Sequence, residues 1–202
     1  MEFFADLDAV RERWNVLDHP FYTRWSEGTL TREDLAYYSG QYRHAVVALA
    51  DATRRAADAE PSLAPHAAEE AAHVELWDGF VAAVGGDRDA APAPQTVACT
   101  ESWSKEGSLL ETLVGIYAIE AAQPAISATK AAGLRERYDL GDEAATAYFD
   151  LHEHLDVEHA AAGRAFIEQR LDGADRAALI ARAEEVLQAN WKLLDGVDAE
   201  LA

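Results

Sequence analysis

Apolar side chains recur along this chain every three or four positions and show no sustained alternation, which is the period of helices rather than strands. Phe3, Leu7, Val10, Trp14 and Leu17 keep that spacing and predict a first helix over residues 3–17. It stops at LDHPFY, where Pro20 pushes His19 out of the helical region and opens the next turn. Thr31, with Asp34 three residues on, reads as a capping box ahead of a helix from Leu35 to about Ala57, spaced by Tyr38, Tyr42, Val46 and Leu49. Pro61 and Pro65 break the periodicity, and a third helix follows from Ser62 or Pro65 to Val84, stopped by Gly85 and Gly86. GGDRDAAPAPQ is the one clear linker, and a short helix carrying Trp103 comes after it. Beyond Gly107 and Ser108 a single, strongly apolar helix is expected to run to Gly133. Glu143–Leu171, closed by Asp172 and Gly173, and Ala174–Val197 complete the series. The expectation is an all-α bundle of about seven helices in one domain, residues 1–202.

Composition sharpens this in three ways. Alanine is abundant and β-branched residues are few, which favours helix further. The formal charge of −20 repels phosphate backbones and leaves no basic patch, so nucleic acid is not an expected partner. The opening MEFFADLDAVRERW has neither a basic leader nor an apolar signal core, and no run approaches a membrane span, so the expected location is the cytoplasm. Cys99 is the only cysteine, which excludes an internal disulfide and a cysteine-based zinc site.

The chemistry gathers in three helices. His152, Asp156 and His159 stand at i, i+4 and i+7 and return to one stripe of their helix, while His154, Glu153 and Glu158 fall on other faces. Glu120 is the one charged residue in the middle of the apolar helix, where an ionised carboxylate is costly unless paired or bound to a metal. HAAEEAAHVELW holds His66, Glu69, Glu70 and His73, with Glu70 and His73 in the E-x-x-H spacing of carboxylate-bridged two-metal bundles. A surface histidine or a rim glutamate explains any one of these residues alone. Together they mix imidazole with carboxylate, a donor set that suits iron or manganese.

At these residues the chain resembles the heme-oxygenase-like diiron oxidases and oxygenases, in the superfamily that includes TenA thiaminases and pyrroloquinoline-quinone synthase. HPFYTRWSEGTLTREDLAYYSGQYRHAV looks like the family's opening, HVELW like its H-x-E-L-W segment, YAIEAAQPAIS like its Y-x-x-E helix, and His152-x-x-x-Asp156-x-x-His159 like its last ligand helix. The resemblance implies a heme-oxygenase-like bundle holding two iron ions, with manganese an alternative in one site. It implies ligands at His73, Glu120, His152, Asp156 and His159, the sixth being Glu70, His66 or Glu69. It implies dioxygen and a small organic molecule as reactants, and a homodimer, for which Trp191 on the last helix would supply an apolar patch. Tyr22 and Lys130 further resemble residues of the branch that makes para-aminobenzoate from its own tyrosine side chain, Tyr22 as ring source and Lys130 as amino donor or base. Tyr38, Gln41, Tyr42 and His44 are then expected to line the pocket. Two other readings compete: a thiaminase-like hydrolase, which would need Cys99 as nucleophile, and a non-catalytic interaction protein on the same scaffold.

Overall fold

The computed structural model describes residues 2–201, in which there are nine α-helices and no strand. The helices are α1 (Glu2–Arg13), α2 (Pro20–Glu27), α3 (Arg32–Ala59), α4 (Ala64–Val84), α5 (Pro94–Trp103), α6 (Leu109–Glu120), α7 (Gln123–Arg137), α8 (Glu143–Glu168) and α9 (Arg176–Leu201). Several starts follow from local chemistry. Thr31 and Asp34 form the expected capping box at α3, and Ser108 and Glu111 form another at α6. Each satisfies two N–H groups that the first turn cannot. The His19 side chain caps α2 through the Phe21 N–H, 3.0 Å from its Nδ1, with Pro20 as the first helical residue.

The differences from expectation have physical causes. The first helix ends at Arg13 rather than at residue 17, because the Asn15 side chain caps a separate 3-10 turn at Val16–Asp18. The apolar helix expected to end at Gly133 is two helices, α6 and α7, interrupted at Ala121–Ala122, and it runs on to Arg137. Pro124 has no N–H to give the Glu120 carbonyl four residues back, and its ring crowds that carbonyl, so α6 closes at Glu120. Gly133 lies inside α7: a Cβ there would come within 2.5 Å of Trp25 Nε1, so the glycine lets α7 lie close on α2. Leu109–Arg137 is, among the described residues, the one stretch long and apolar enough to cross a membrane, where the sequence expectation was none. It is broken in its middle and 56% of its most apolar window is buried inside the bundle, as in a central core element.

α3 packs along α4, α4 and α7 pack against α8, and α9 closes the bundle against α5 and α6. One apolar cluster runs through all of them. Its centre is aromatic, with Trp25, Trp77, Tyr22, Tyr38, Phe80 and Phe149 fully buried. Trp191, expected to supply an apolar patch, is half-buried. It meets Trp14 edge-on at 6.1 Å and His19 at 4.8 Å, which tie α9 to the N-terminal segment.

Candidate metal centre

Three helices deliver the donors. α4 brings His66, Glu70 and His73, the last residue of α6 is Glu120, and α8 brings His152, Asp156 and His159. Glu70, His73, Glu120, His152 and Asp156 are all at most 4% exposed. His66 Nε2 stands 2.7 Å from Glu120 Oε1, and His73 Nδ1 stands 2.9 Å from Glu70 Oε1. His159 Nδ1 lies 3.5 Å from Asp156 Oδ1 and 4.0 Å from Glu70 Oε1. All seven predicted ligand candidates therefore come together, including both His66 and Glu70, between which the sequence left the choice open. Glu69, the third candidate, is half exposed and takes another part: its Oε2 lies 3.0 Å from His159 Nε2.

The donor atoms fit a metal. Among the described residues, His66 Nε2, Glu70 Oε1, His73 Nδ1, Glu120 Oε1, His152 Nε2, both Asp156 oxygens and His159 Nδ1 are buried with no hydrogen-bond partner. Even the pairs 2.7 and 2.9 Å apart meet at angles that make no hydrogen bond, so their lone pairs face shared space. Buried polar atoms are almost always satisfied, and this many orphans in one place call for cations. Glu70, Glu120 and Asp156 are three buried carboxylates with no lysine or arginine in the cluster. Two divalent ions would more than offset their three negative charges.

Two of the imidazoles are held from behind. His152 Nδ1 is 2.6 Å from the Tyr148 carbonyl, which can only accept, so Nδ1 carries the hydrogen and Nε2 is left to bind. The Glu69 carboxylate does the same for His159, accepting from Nε2 and freeing Nδ1. Charge follows this geometry. Burial pushes the Glu120 carboxyl up and the His152 imidazole down. Burial also works against the charged forms of His66, Glu70 and His159, and their partners overrule it. Glu120 raises His66, His73 lowers Glu70, and Asp156 with Glu120 and Glu69 raises His159 to about 9. The cluster without metal thus holds protons that metal binding must release.

A cavity of about 480 Å³ opens on the cluster, floored by His66, Glu120 and His159 and walled by Leu113, Ile116 and Phe166 among others. On the other side lies a buried polar group. Tyr22 Oη is 2.7 Å from Tyr38 Oη, to which Lys130 Nζ donates at 2.8 Å. Lys130 Nζ sits 4.9 Å from the centre of the Tyr22 ring and 4.7 Å from that of Tyr42. Burial alone drives the Lys130 ammonium well below its ordinary value, and burial first of all raises the phenols of Tyr22 and Tyr38. Tyr38 and Tyr42 thus belong to the interior. Gln41 and His44 line neither the cavity nor this polar group. Gln41 bonds the Ala91 carbonyl, the Ala93 N–H and Thr96, and His44 reaches the Ala90 carbonyl, so both anchor the linker. Cys99 is fully buried in α5 and its thiol is raised by that burial, which removes the nucleophile a thiaminase would need.

Rings join the two regions. Tyr148 stacks on His152 at 3.9 Å, Trp77 meets Tyr148 at 4.9 Å and Tyr42 at 5.1 Å, and Tyr42 meets Tyr38 at 5.4 Å. Sequence reasoning missed Tyr148 and Trp77 as site residues. Tyr148, one helical turn before His152 on the same face, was there to be found by spacing; Trp77, four residues after His73, likewise.

A family model described as iron-containing redox enzyme matches residues 64–191. The chain is 31% identical to the 4-aminobenzoate synthase of Chlamydia muridarum over 96% of this chain and 89% of that protein. It is 29% identical to the one from Nitrosomonas europaea, over 96% and 90%. In fold it is similar to a TenA homologue from Pseudomonas syringae pv. tomato, with a TM-score of 0.84 and 16% identity over 98% and 91% of the two chains. It is also similar to a heme-oxygenase-like domain from Shewanella denitrificans, with a TM-score of 0.78 and 20% identity over 96% and 90%.

Proposed function

This chain belongs to the family of iron-containing redox enzymes, with an all-helical heme-oxygenase-like fold, and on that premise we propose that it makes 4-aminobenzoate from its own Tyr22. The ligands of its iron would be drawn from His66, Glu70, His73, Glu120, His152, Asp156 and His159. One observation carries the reading: the Tyr38 hydroxyl hydrogen-bonds both the Tyr22 phenol and the Lys130 amine in a sealed aromatic interior beside the metal cluster. That a chain about 30% identical to synthases of this compound contains such a group supports it.

Iron bound at these donors supplies the capacity to reduce dioxygen and to oxidise a nearby phenol. The chain's own residues do the rest. Burial without a counter-charge disfavours the Lys130 ammonium and favours the neutral amine, whose nitrogen carries the lone pair the transfer needs. Tyr38 stands between Lys130 and Tyr22 and hands protons either way across two short hydrogen bonds. An oxidised Tyr22 sheds its phenol proton to Tyr38, which relays it to Lys130 as base. The tyrosine ring and its Cβ already have the carbon skeleton of a para-substituted benzoate. The Cα–Cβ bond must break and Cβ be oxidised to the carboxylate with dioxygen as the oxidant, while the Lys130 Cε–Nζ bond breaks and its nitrogen replaces the phenol oxygen, which leaves as water. The Tyr148, Trp77, Tyr42 and Tyr38 rings form a continuous chain of aromatic contacts from His152 to Tyr22. Water is excluded, since Tyr22, Tyr38 and Lys130 are each at most 1% exposed.

The test loads the protein with ferrous iron without oxygen, then admits oxygen and assays 4-aminobenzoate by mass spectrometry. The unmodified chain should release no more than one molecule per protein, and Tyr22→Phe none while keeping its iron. Release from Tyr22→Phe equal to that of the parent chain would refute the reading.

A further inference from the structure

We infer that six of the seven donors fall into two unequal sets sharing Glu70, and that the set on the cavity side is the one that meets small molecules from outside. This rests on the iron reading and deepens it. His66, Glu70, Glu120 and His159 each offer one ligand atom within 4.8 Å of all the others, and so do Glu70, His73 and His152. Glu70 alone is common to both. It is 3% exposed, it leans toward His73 at 2.9 Å and toward His159 at 4.0 Å, and its Oε1 has no hydrogen-bond partner. That one oxygen faces imidazoles of both groups, and the carboxylate has a second oxygen to add, so this side chain is suited to serve both sets. Asp156, with both oxygens unpartnered, adds a further carboxylate beside His159.

The surroundings of the two sets differ. His66, Glu120 and His159 floor the 480 Å³ cavity, whereas His73 and His152 do not line it. The inner pair is closed off: His152 is covered on one face by the Tyr148 ring at 3.9 Å and meets His73 edge-on at 4.5 Å. The outer set has an approach from solvent and the inner set faces the aromatic interior. No lysine or arginine lines the cavity and its walls are mostly apolar, so beyond the floor of metal donors no side chain there would hold an anionic group by charge. Uncharged apolar molecules, diatomic gases included, are the class it admits.

Two probes test this, ferrous ion and nitric oxide, with metal content and the visible nitrosyl absorption as readouts. The parent chain should bind two ferrous ions anaerobically and form the nitrosyl. His66→Ala should keep one ion and lose the nitrosyl band, while His73→Ala should keep one ion and retain it. Glu70→Gln should weaken both sites by about 10- to 100-fold. Gly163→Leu adds bulk beside the cavity where a Cβ meets only Tyr117, at 3.8 Å. It should leave iron content unchanged and slow nitrosyl formation severalfold. A nitrosyl band that survives in His66→Ala and vanishes in His73→Ala would overturn the assignment, as would a Gly163→Leu rate equal to the parent's. Both ions held at parental affinity in Glu70→Gln would overturn the sharing. None of these readouts involves aminobenzoate, so the synthase reading stands or falls separately.

Discussion

Lys130 is the least expected side chain in this interior, a fully buried amine whose one hydrogen-bond partner is the Tyr38 hydroxyl. Its folded pKa lies well below the ordinary 10.5, so between the two values the unfolded chain binds the extra proton and stability rises with pH. Above about 10 the raised phenols of Tyr22 and Tyr38 act the other way, because the unfolded tyrosines then ionise. Lys130→Met should therefore stabilise the metal-free protein at pH 7 by about 1 kcal/mol or more. The advantage over the parent chain should shrink as pH is raised toward 10, read from urea unfolding at several pH values. Glu69 gives a second expectation. Glu69→Ala frees the His159 ring and should weaken ferrous binding by about 10- to 100-fold without changing helix content, measured by anaerobic titration and circular dichroism. At this level the sequence spoke clearly where spacing speaks: the stripe of His152, Asp156 and His159 and the lone buried Glu120 follow from periodicity and polarity. Glu69 as the support of His159 did not, because that pairing joins two helices 90 residues apart.

The junction of α6 and α7 shows how one helix break positions chemistry. Glu120 is the final residue of α6 because Pro124 stops the ladder there. Pro124→Ala restores the N–H that the Glu120 carbonyl lacks, draws the two helices toward one, and should lower iron stoichiometry while leaving the fold stable. Gly133→Ala, which forces a methyl against Trp25, should cost about 1–3 kcal/mol in denaturant unfolding. Thr31→Ala, removing a surface cap far from the donors, should cost about 1 kcal/mol with iron binding unchanged. Helix starts were the most readable feature of the sequence, since capping boxes and prolines act through neighbouring residues. Helix ends and the α6–α7 break were less so. Gly133 looked like a stop because its reason for being glycine is Trp25, more than 100 residues away in the chain.

Taken whole, the molecule keeps three carboxylates and four imidazoles in its interior with their donor atoms unsatisfied, and so loses stability when metal-free. Each iron ion bound should raise its stability by about 3–4 kcal/mol when free metal exceeds Kd by about 100- to 1,000-fold, seen as a higher melting temperature. That gain should fall as pH is lowered, because protons compete for the same nitrogens and oxygens, with His159 at about 9 the strongest competitor. The all-α class and the convergence of α4, α6 and α8 on one site were foreseeable from periodicity and resemblance, and the apolar cavity was not. Its walls are ordinary core residues such as Leu113 and Phe166, which only packing reveals as lining. The most direct test is isotopic. Protein grown with ring-labelled tyrosine is purified, loaded with ferrous iron and exposed to oxygen, and the released aromatic amine is weighed by mass spectrometry. Released 4-aminobenzoate should carry the full ring label, with a matching loss of mass at Tyr22. Unlabelled 4-aminobenzoate, or an intact Tyr22 after release, would contradict a side chain consumed as substrate.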